Sequence, residues 1–231
     1  MLTAALRLHR IGVAAACLLL ASSQSVGQNV DMGPNREPLE RQDIGSYIQR
    51  LLSPERIAEL KPEEVVEALA LPDDAAVADL GSGPGVFTIP LARHLKRGIV
   101  YAVDVEPRQL DALRARLLRE HISNVVPVLA SFSTPHLPPA RLDLILLVDT
   151  YRHLRNRVDY FRRLRSALAP GGRVAILQYK PGDLPMGPPA DQKLTRRQVH
   201  DEMQAAGFGL LKEFNILRYH DFEIWVPSAS F

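Results

Sequence analysis

The chain has 231 residues, 46% of them hydrophobic and 23% charged, enough apolar material for one globular domain with a sizeable core plus some extra sequence. Its net charge of +2, with acids and bases interspersed, excludes the strongly basic face of a nucleic-acid binder and a charged tail. The single cysteine, Cys17, excludes an internal disulfide framework and a thiolate-built metal site.

The N-terminus differs from the rest. Arg7 and Arg10 precede an apolar run from Ile11 to Ala21, and no acid occurs before Asp31. Small and polar residues follow, with candidate cleavage points after Ser23 and Gly27. This is the layout of a signal peptide or an uncleaved signal anchor over residues 1–28. The run is shorter than the ~20 apolar residues of a comfortable membrane span. The expectation is a body that is exported (periplasmic or secreted) or tethered to a membrane through this segment. A mitochondrial presequence, or an artefactual start ahead of a cytoplasmic body, are the alternatives. Loss of residues 1–28 would remove two bases, leaving the Lys+Arg count equal to the 26 acids.

Residues 29–70 read as a polar linker followed by an N-terminal helical cap. Ser53 before Pro54 is an N-cap with proline at the first helical position, and Pro62 opens a further helix with Val65, Val66 and Leu69 on one face. From residue 71 onward strands and helices alternate. "AAVADL" is an apolar strand and "VFTIPLARHLK" a helix; "GIVYAVDV" is a strand; "PRQLDALRARLLREH" is a helix with Leu110, Leu113, Leu117 and Leu118 at helical spacing. "VVPVLAS" and "LDLILLVD" are strands, separated by a proline-rich loop. "NRVDYFRRLRSALAP" is a helix stopped by Pro170, Gly171 and Gly172, and "RVAILQYK" is a strand. Thr195 and Gln198 form a capping box for "RRQVHDEMQAAGF". "LLKEFNIL" and "DFEIWVP" flank a connection short enough for an antiparallel pair. Apolar strands alternating with amphipathic helices predict a parallel α/β sheet covered on both faces.

Ligands of open α/β sheets bind beyond the carboxyl ends of the strands. Asp79, Gly81, Ser82, Gly83 and Gly85 follow the first strand, Asp104 and Val105 the second, Ser131 and Phe132 the third, and Asp149, Thr150, Tyr151 and His153 the fourth. Gln178, Tyr179 and Lys180 follow the fifth. The glycines let the backbone approach a ligand, and Asp104 is placed for two ribose hydroxyls. The spacing departs from the dinucleotide fingerprint G-x-G-x-x-G, whose third glycine is here Val86. A carboxylate at Asp79 suits a cationic ligand better than a pyrophosphate.

"VADLGSGPG", "VYAVDVEP", "LDLILLVDTYRHL" and "LAPGGRVAILQ" resemble the successive motifs of class I S-adenosylmethionine-dependent methyltransferases, in the flavour of the type 11 and quinone-biosynthesis group. The resemblance runs from about Lys61 onward and places the methyltransferase domain at residues 71–231. It implies a Rossmann-like three-layer sandwich with a seven-stranded, mostly parallel sheet in the order 3-2-1-4-5-7-6, strand 7 antiparallel. It implies S-adenosylmethionine as cofactor: Asp79 and the Gly81–Gly85 loop, with Ser82 and Gly83, around its methionine part, Asp104 on the ribose, Val105 on the adenine, and Asp149 with Thr150 beside the methionine end. Ser131 and Phe132 stand where the family often has a Gly-Asp pair that reads the adenine amino group, so here a hydroxyl and a stacking ring replace the carboxylate. Tyr151 and His153 are the candidate catalytic residues, with His153 able to take a proton.

The implied activity is methyl transfer to a small-molecule acceptor. "DTYR" after the fourth strand lacks the N-P-P-aromatic motif of amino-methylating nucleic-acid enzymes, so no nucleic-acid partner is expected. No metal site is expected, and His94, His121, His136 and His200 read as ordinary helix or loop residues. Lys180 and Lys193 are either contacts for an anionic substrate or solvated surface groups. The alternatives are an NAD-type oxidoreductase and a non-catalytic Rossmann-like nucleotide-binding module.

Overall fold

The computed structural model describes residues 43–228. The expected signal segment and most of the linker lie outside the described residues. No described helix is long and apolar enough to cross a membrane.

Three short helices come first: α1 (Ile44–Leu51), α2 (Pro54–Leu60) and α3 (Pro62–Ala68). The Asp43 side chain caps α1 through the Gly45 N–H, and Ser53 caps α2 through the Arg56 N–H. Lys61, in a left-handed conformation, ends α2, and Pro62 starts α3. Then β1 (Ala76–Leu80), α4 (Thr88–His94), β2 (Ile99–Asp104), α5 (Pro107–Arg119), β3 (Val125–Leu129), β4 (Leu142–Val148), α6 (Arg157–Leu164), β5 (Leu168–Tyr179), α7 (Arg196–Ala205), β6 (Phe208–Phe214) and β7 (His220–Pro227) follow. They build one seven-stranded sheet in the order β3-β2-β1-β4-β5-β7-β6. The pairings are parallel up to β5, and β7 runs antiparallel to both β5 and β6.

Both faces of the sheet are covered, which is why β4 reads as a continuous apolar run. Leu144 and Leu146 point into one core with Val65, Leu91, Leu177 and Phe222. Ile145 and Leu147 point into the other with Phe161, Val199, Met203 and Trp225. Each of these side chains is fully or almost fully buried, worth roughly 1.5–3 kcal/mol apiece relative to exposure. A third cluster holds α5 to β2 through Leu110, Leu113 and Ala102.

One boundary departs from the sequence pattern. The helix expected to run to Pro170 ends at Leu164, and a single 3-10 turn, Arg165–Ala167, leads into β5 at Leu168. Leu168 already pairs with Leu142, and the register shifts between Leu142 and Leu144 to absorb Pro170, Gly171 and Gly172. A β-carbon on Gly172 would sit 2.5 Å from the Leu142 carbonyl oxygen, so the glycine serves a strand bulge, where a helix stop was expected.

Candidate active site

The carboxyl ends of the parallel strands β1, β2, β4 and β5 share one edge of the sheet, and the two halves of this cleft edge differ in charge. On the β1–β2 side, Gly81 and Ser82 both donate their N–H groups to the Val103 carbonyl, at 2.8 and 3.0 Å. Asp104, at the end of β2, accepts from the Gly83 N–H at 2.8 Å and from the Glu106 N–H at 2.9 Å. One carboxylate thus fixes the glycine loop and the turn into α5. Gly81 has φ +81°, and a β-carbon there would fall 2.2 Å from the Thr150 hydroxyl oxygen. Gly85 has φ +89°, and its β-carbon would fall 2.4 Å from Leu113. Both positions demand glycine on conformation and on space.

Asp79 lies beneath this loop, 2% exposed, and accepts a 2.6 Å hydrogen bond from the Thr88 hydroxyl. Burial, reinforced by the negative charge of Asp104, pushes its carboxyl up to about 7. Burial also pushes Asp104 up, against the opposing pull of its backbone donors. Among the described residues neither acid has an ion-pair partner. The Ser82 hydroxyl and the Gln109 amide oxygen are buried here without a hydrogen-bond partner in the described structure. Orphaned polar atoms and unpaired acids beside a glycine cradle fit a cationic, hydroxyl-bearing ligand such as S-adenosylmethionine.

On the β4–β5 side the balance reverses. Asp149 follows β4 in a left-handed conformation, φ +56°, with its N–H on the Leu177 carbonyl. Its carboxylate accepts from Arg56 of α2 at 2.9 Å and faces Nε2 of His220, the first residue of β7, at 3.2 Å. Burial alone would raise Asp149, but the His220 hydrogen bond and the charges of His220 and Arg56 hold it below the ordinary carboxylate range. The His220 ring lies 4.1 Å from that of Tyr179, and its Nδ1 is buried with no partner in the described structure. Next to Asp149 a small, shallow cleft is lined by Arg152, Gln178, Tyr179, Lys193 and Leu194. The helical cap overhangs both halves. Leu51 of α1 sits 3.4 Å from where a Gly83 β-carbon would be. Tyr47 is pushed up first by burial and then feels Arg56 and Arg152 on one side and Asp104 on the other.

The expected residues fare unequally. Asp79, Gly81, Ser82, Gly83, Gly85 and Asp104 converge on the first half, with Val105 half-buried at its edge. Asp149 and Thr150 meet the loop through the close approach of Thr150 to Gly81. Ser131 and Phe132 are both exposed. The Ser131 hydroxyl is engaged with Ser133 and with the Thr134 N–H in its own turn, and Phe132 is 46% exposed. Tyr151 is not at the cleft. It is fully buried, stacked 5.1 Å from Phe161, and its hydroxyl donates to Glu202, which Arg157 also holds. Burial and Glu202 push its phenol far above the ordinary range, so it has neither the access nor the acidity of a catalytic base. The His153 N–H closes the 3-10 turn Tyr151–His153 on the Thr150 carbonyl, and the residue is half-buried.

His200 belongs to a polar cluster with Glu213 and Glu223, and Arg196 is bonded to both acids. Sequence reasoning missed Arg56 and His220. The signal for His220 was present: a strand antiparallel to β5 must begin where β5 ends, at the ligand edge.

Residues 77–172 match a family model described as a methyltransferase domain. Over 110 residues the chain is 30% identical to (S)-coclaurine N-methyltransferase of Thalictrum flavum subsp. glaucum, covering 48% of this chain and 30% of that one. It is 29% identical to the ubiquinone/menaquinone biosynthesis C-methyltransferase UbiE of Azotobacter vinelandii, covering 48% and 45%. The alignments thus span less than half the length of either relative. A solved SAM-dependent methyltransferase from Aquifex aeolicus superposes with a TM-score of 0.75 at 22% identity, over 80% of this chain and 98% of that one. Residues 77–172 thus match a methyltransferase-domain model, and the described residues carry the seven-stranded fold of a solved S-adenosylmethionine-dependent methyltransferase.

Proposed function

We propose that this protein transfers a methyl group from S-adenosylmethionine to a small-molecule acceptor. The observation that carries the reading is Asp104, which ties the glycine loop to the turn after β2 while a second buried acid, Asp79, stands by with no cation beside it. Such a pocket favours a ligand that is itself cationic and repels a diphosphate, which also counts against the NAD-type alternative. When bound, the cofactor supplies an activated methyl group on a sulfonium. The chain's own part is to position and to exclude water. Asp104 would hold the ribose hydroxyls, the glycine loop and Ser82 would hold the amino-acid part, and Asp149 and Thr150 would border the methyl end. With Tyr151 turned into the core, the side chains best placed at that end are Asp149, Arg152 and Tyr179, with His220 buried behind Asp149.

The test is calorimetric titration of the protein with S-adenosylhomocysteine and, separately, NAD. Binding of the first and not the second is expected, with Asp104→Ala weakening it by about 100-fold, since a charged acceptor of two or more hydrogen bonds is lost. NAD binding instead, or an affinity for S-adenosylhomocysteine that Asp104→Ala leaves unchanged, would overturn the reading.

A further inference from the structure

Around the β4–β5 half of the cleft, cations outnumber acids among the described residues. Arg56 enters from α2, Arg152 from the 3-10 turn after β4, and Lys193 from the loop between β5 and α7. Among the described residues the only carboxylate lining the cleft is Asp149, and both of its oxygens are already engaged, one by Arg56 and one by His220. Lys193 is anchored rather than free-swinging: it donates to the Gly182 carbonyl at 2.7 Å and stands 5.8 Å over the Tyr179 ring. Arg152 is half-buried, and burial depresses its guanidinium, the sign of a cation held out of bulk water. It is the summed charge, rather than an idle group, that selects the ligand. A confined, partly desolvated excess of positive charge stabilises an anion far more than the same charges on an open surface.

We propose that the methyl acceptor carries an oxyanion, a carboxylate or a phosphate, seated between Arg152 and Lys193 next to Asp149. This rests on the methyltransferase reading above and names the class of its acceptor. The two halves of the cleft then match the two ligands: the acidic half takes the cationic cofactor and the basic half takes an acidic acceptor. The side chain of Leu194 and the edge of Tyr179 supply the apolar border against which the body of such an acceptor packs.

The experiment uses the full chain, first titrated with S-adenosylhomocysteine and then, once loaded, with benzoate, phenyl phosphate, benzamide and benzylamine. Benzoate or phenyl phosphate, whichever anion the site takes, is expected to bind about tenfold or more tighter than the isosteric neutral benzamide, and to weaken as salt is raised. Lys193→Ala, in a loop, is expected to lower anion affinity about fivefold and Lys193→Glu to lower it further, while Lys212→Ala on β6 leaves it alone. Equal binding of benzamide, preference for benzylamine, no anion binding at all, or anion binding indifferent to Lys193→Glu would overturn the proposal while leaving the cofactor reading intact. Failure of the first titration removes both together, so the two failures are distinguishable.

Discussion

The two halves of the cleft use the same residue type, a buried aspartate at a strand end, in opposite ways. Among the described residues Asp79 has the hydroxyl and backbone N–H of Thr88 and another acid, with no cation, and burial pushes its carboxyl up to about 7. Asp149 has Arg56 and His220, and it is held ionised. A few residues of context decide whether a buried carboxyl stores an unmet need for positive charge or cancels positive charge already present. The first arrangement costs stability until a cation arrives. The second holds the helical cap and the last strand of the sheet to the same point.

The sharpest way to break this comparison is to change Asp79. Its folded pKa lies above the ~3.9 of an unfolded aspartate, so the folded protein keeps a proton that the unfolded chain gives up. Stability without ligand should therefore fall as pH rises from about 4 to about 7 and level off above that. Asp79→Asn should abolish this slope and leave the variant more stable at pH 8 by about 2–4 kcal/mol, the upper figure being ~3 pKa units at 1.36 kcal/mol each. Denaturant unfolding at pH 5 and pH 8 measures it, and S-adenosylhomocysteine should bind the more stable variant less tightly. Identical pH profiles for the two proteins would sink the contrast.

Arg56→Gln tests the other half. The Arg56–Asp149 pair is only 16% and 17% exposed at its two side chains, so losing the cation should cost about 2 kcal/mol, between the surface and fully buried limits. The sign with pH is opposite to that of Asp79. A depressed carboxyl contributes stability above its unfolded pKa and loses it as pH falls through the folded value. The variant should therefore unfold at a higher pH on acid titration, followed by circular dichroism. An unchanged acid midpoint would show that His220 alone holds Asp149.

The smallest effect is expected at Tyr151→Phe. Loss of the hydrogen bond to Glu202 should cost about 1.5 kcal/mol in unfolding and leave S-adenosylhomocysteine affinity unchanged, because the side chain faces the core. A loss of cofactor affinity in this variant would put Tyr151 back at the site.

The legibility of the molecule follows the same division. The β1–β2 half is local: Asp79, the glycines and Asp104 lie within one strand-turn-helix-strand unit, and their roles follow from spacing and strand ends. The β4–β5 half is assembled from distant segments. Arg56 belongs to a short helix whose sequence says only that it is a helix, and nothing near it points to Asp149. Tyr151 was misplaced for a physical reason. A position just after a strand end does not fix side-chain direction, and beyond the positive φ of Asp149 the 3-10 turn Tyr151–His153 carries Tyr151 into the core. The sheet order followed from the family resemblance and from the terminal hairpin. The early start of β5 did not, because Pro170 and two glycines read as a helix stop when they serve a bulge.

The two contacts that define Asp149 span 93 and 71 residues of sequence, to Arg56 and to His220, whereas Gly83 and Asp104 are 21 apart. Loop-closure entropy makes long-range contacts the last to form and the first to open. The cofactor half of the cleft can therefore be in place while the acceptor half is still unassembled. A transient undocking of the short helix α2 would take Arg56 away from Asp149 and leave the glycine loop, tied by Asp104, standing, so the two ends of the site are expected to differ in how readily they open.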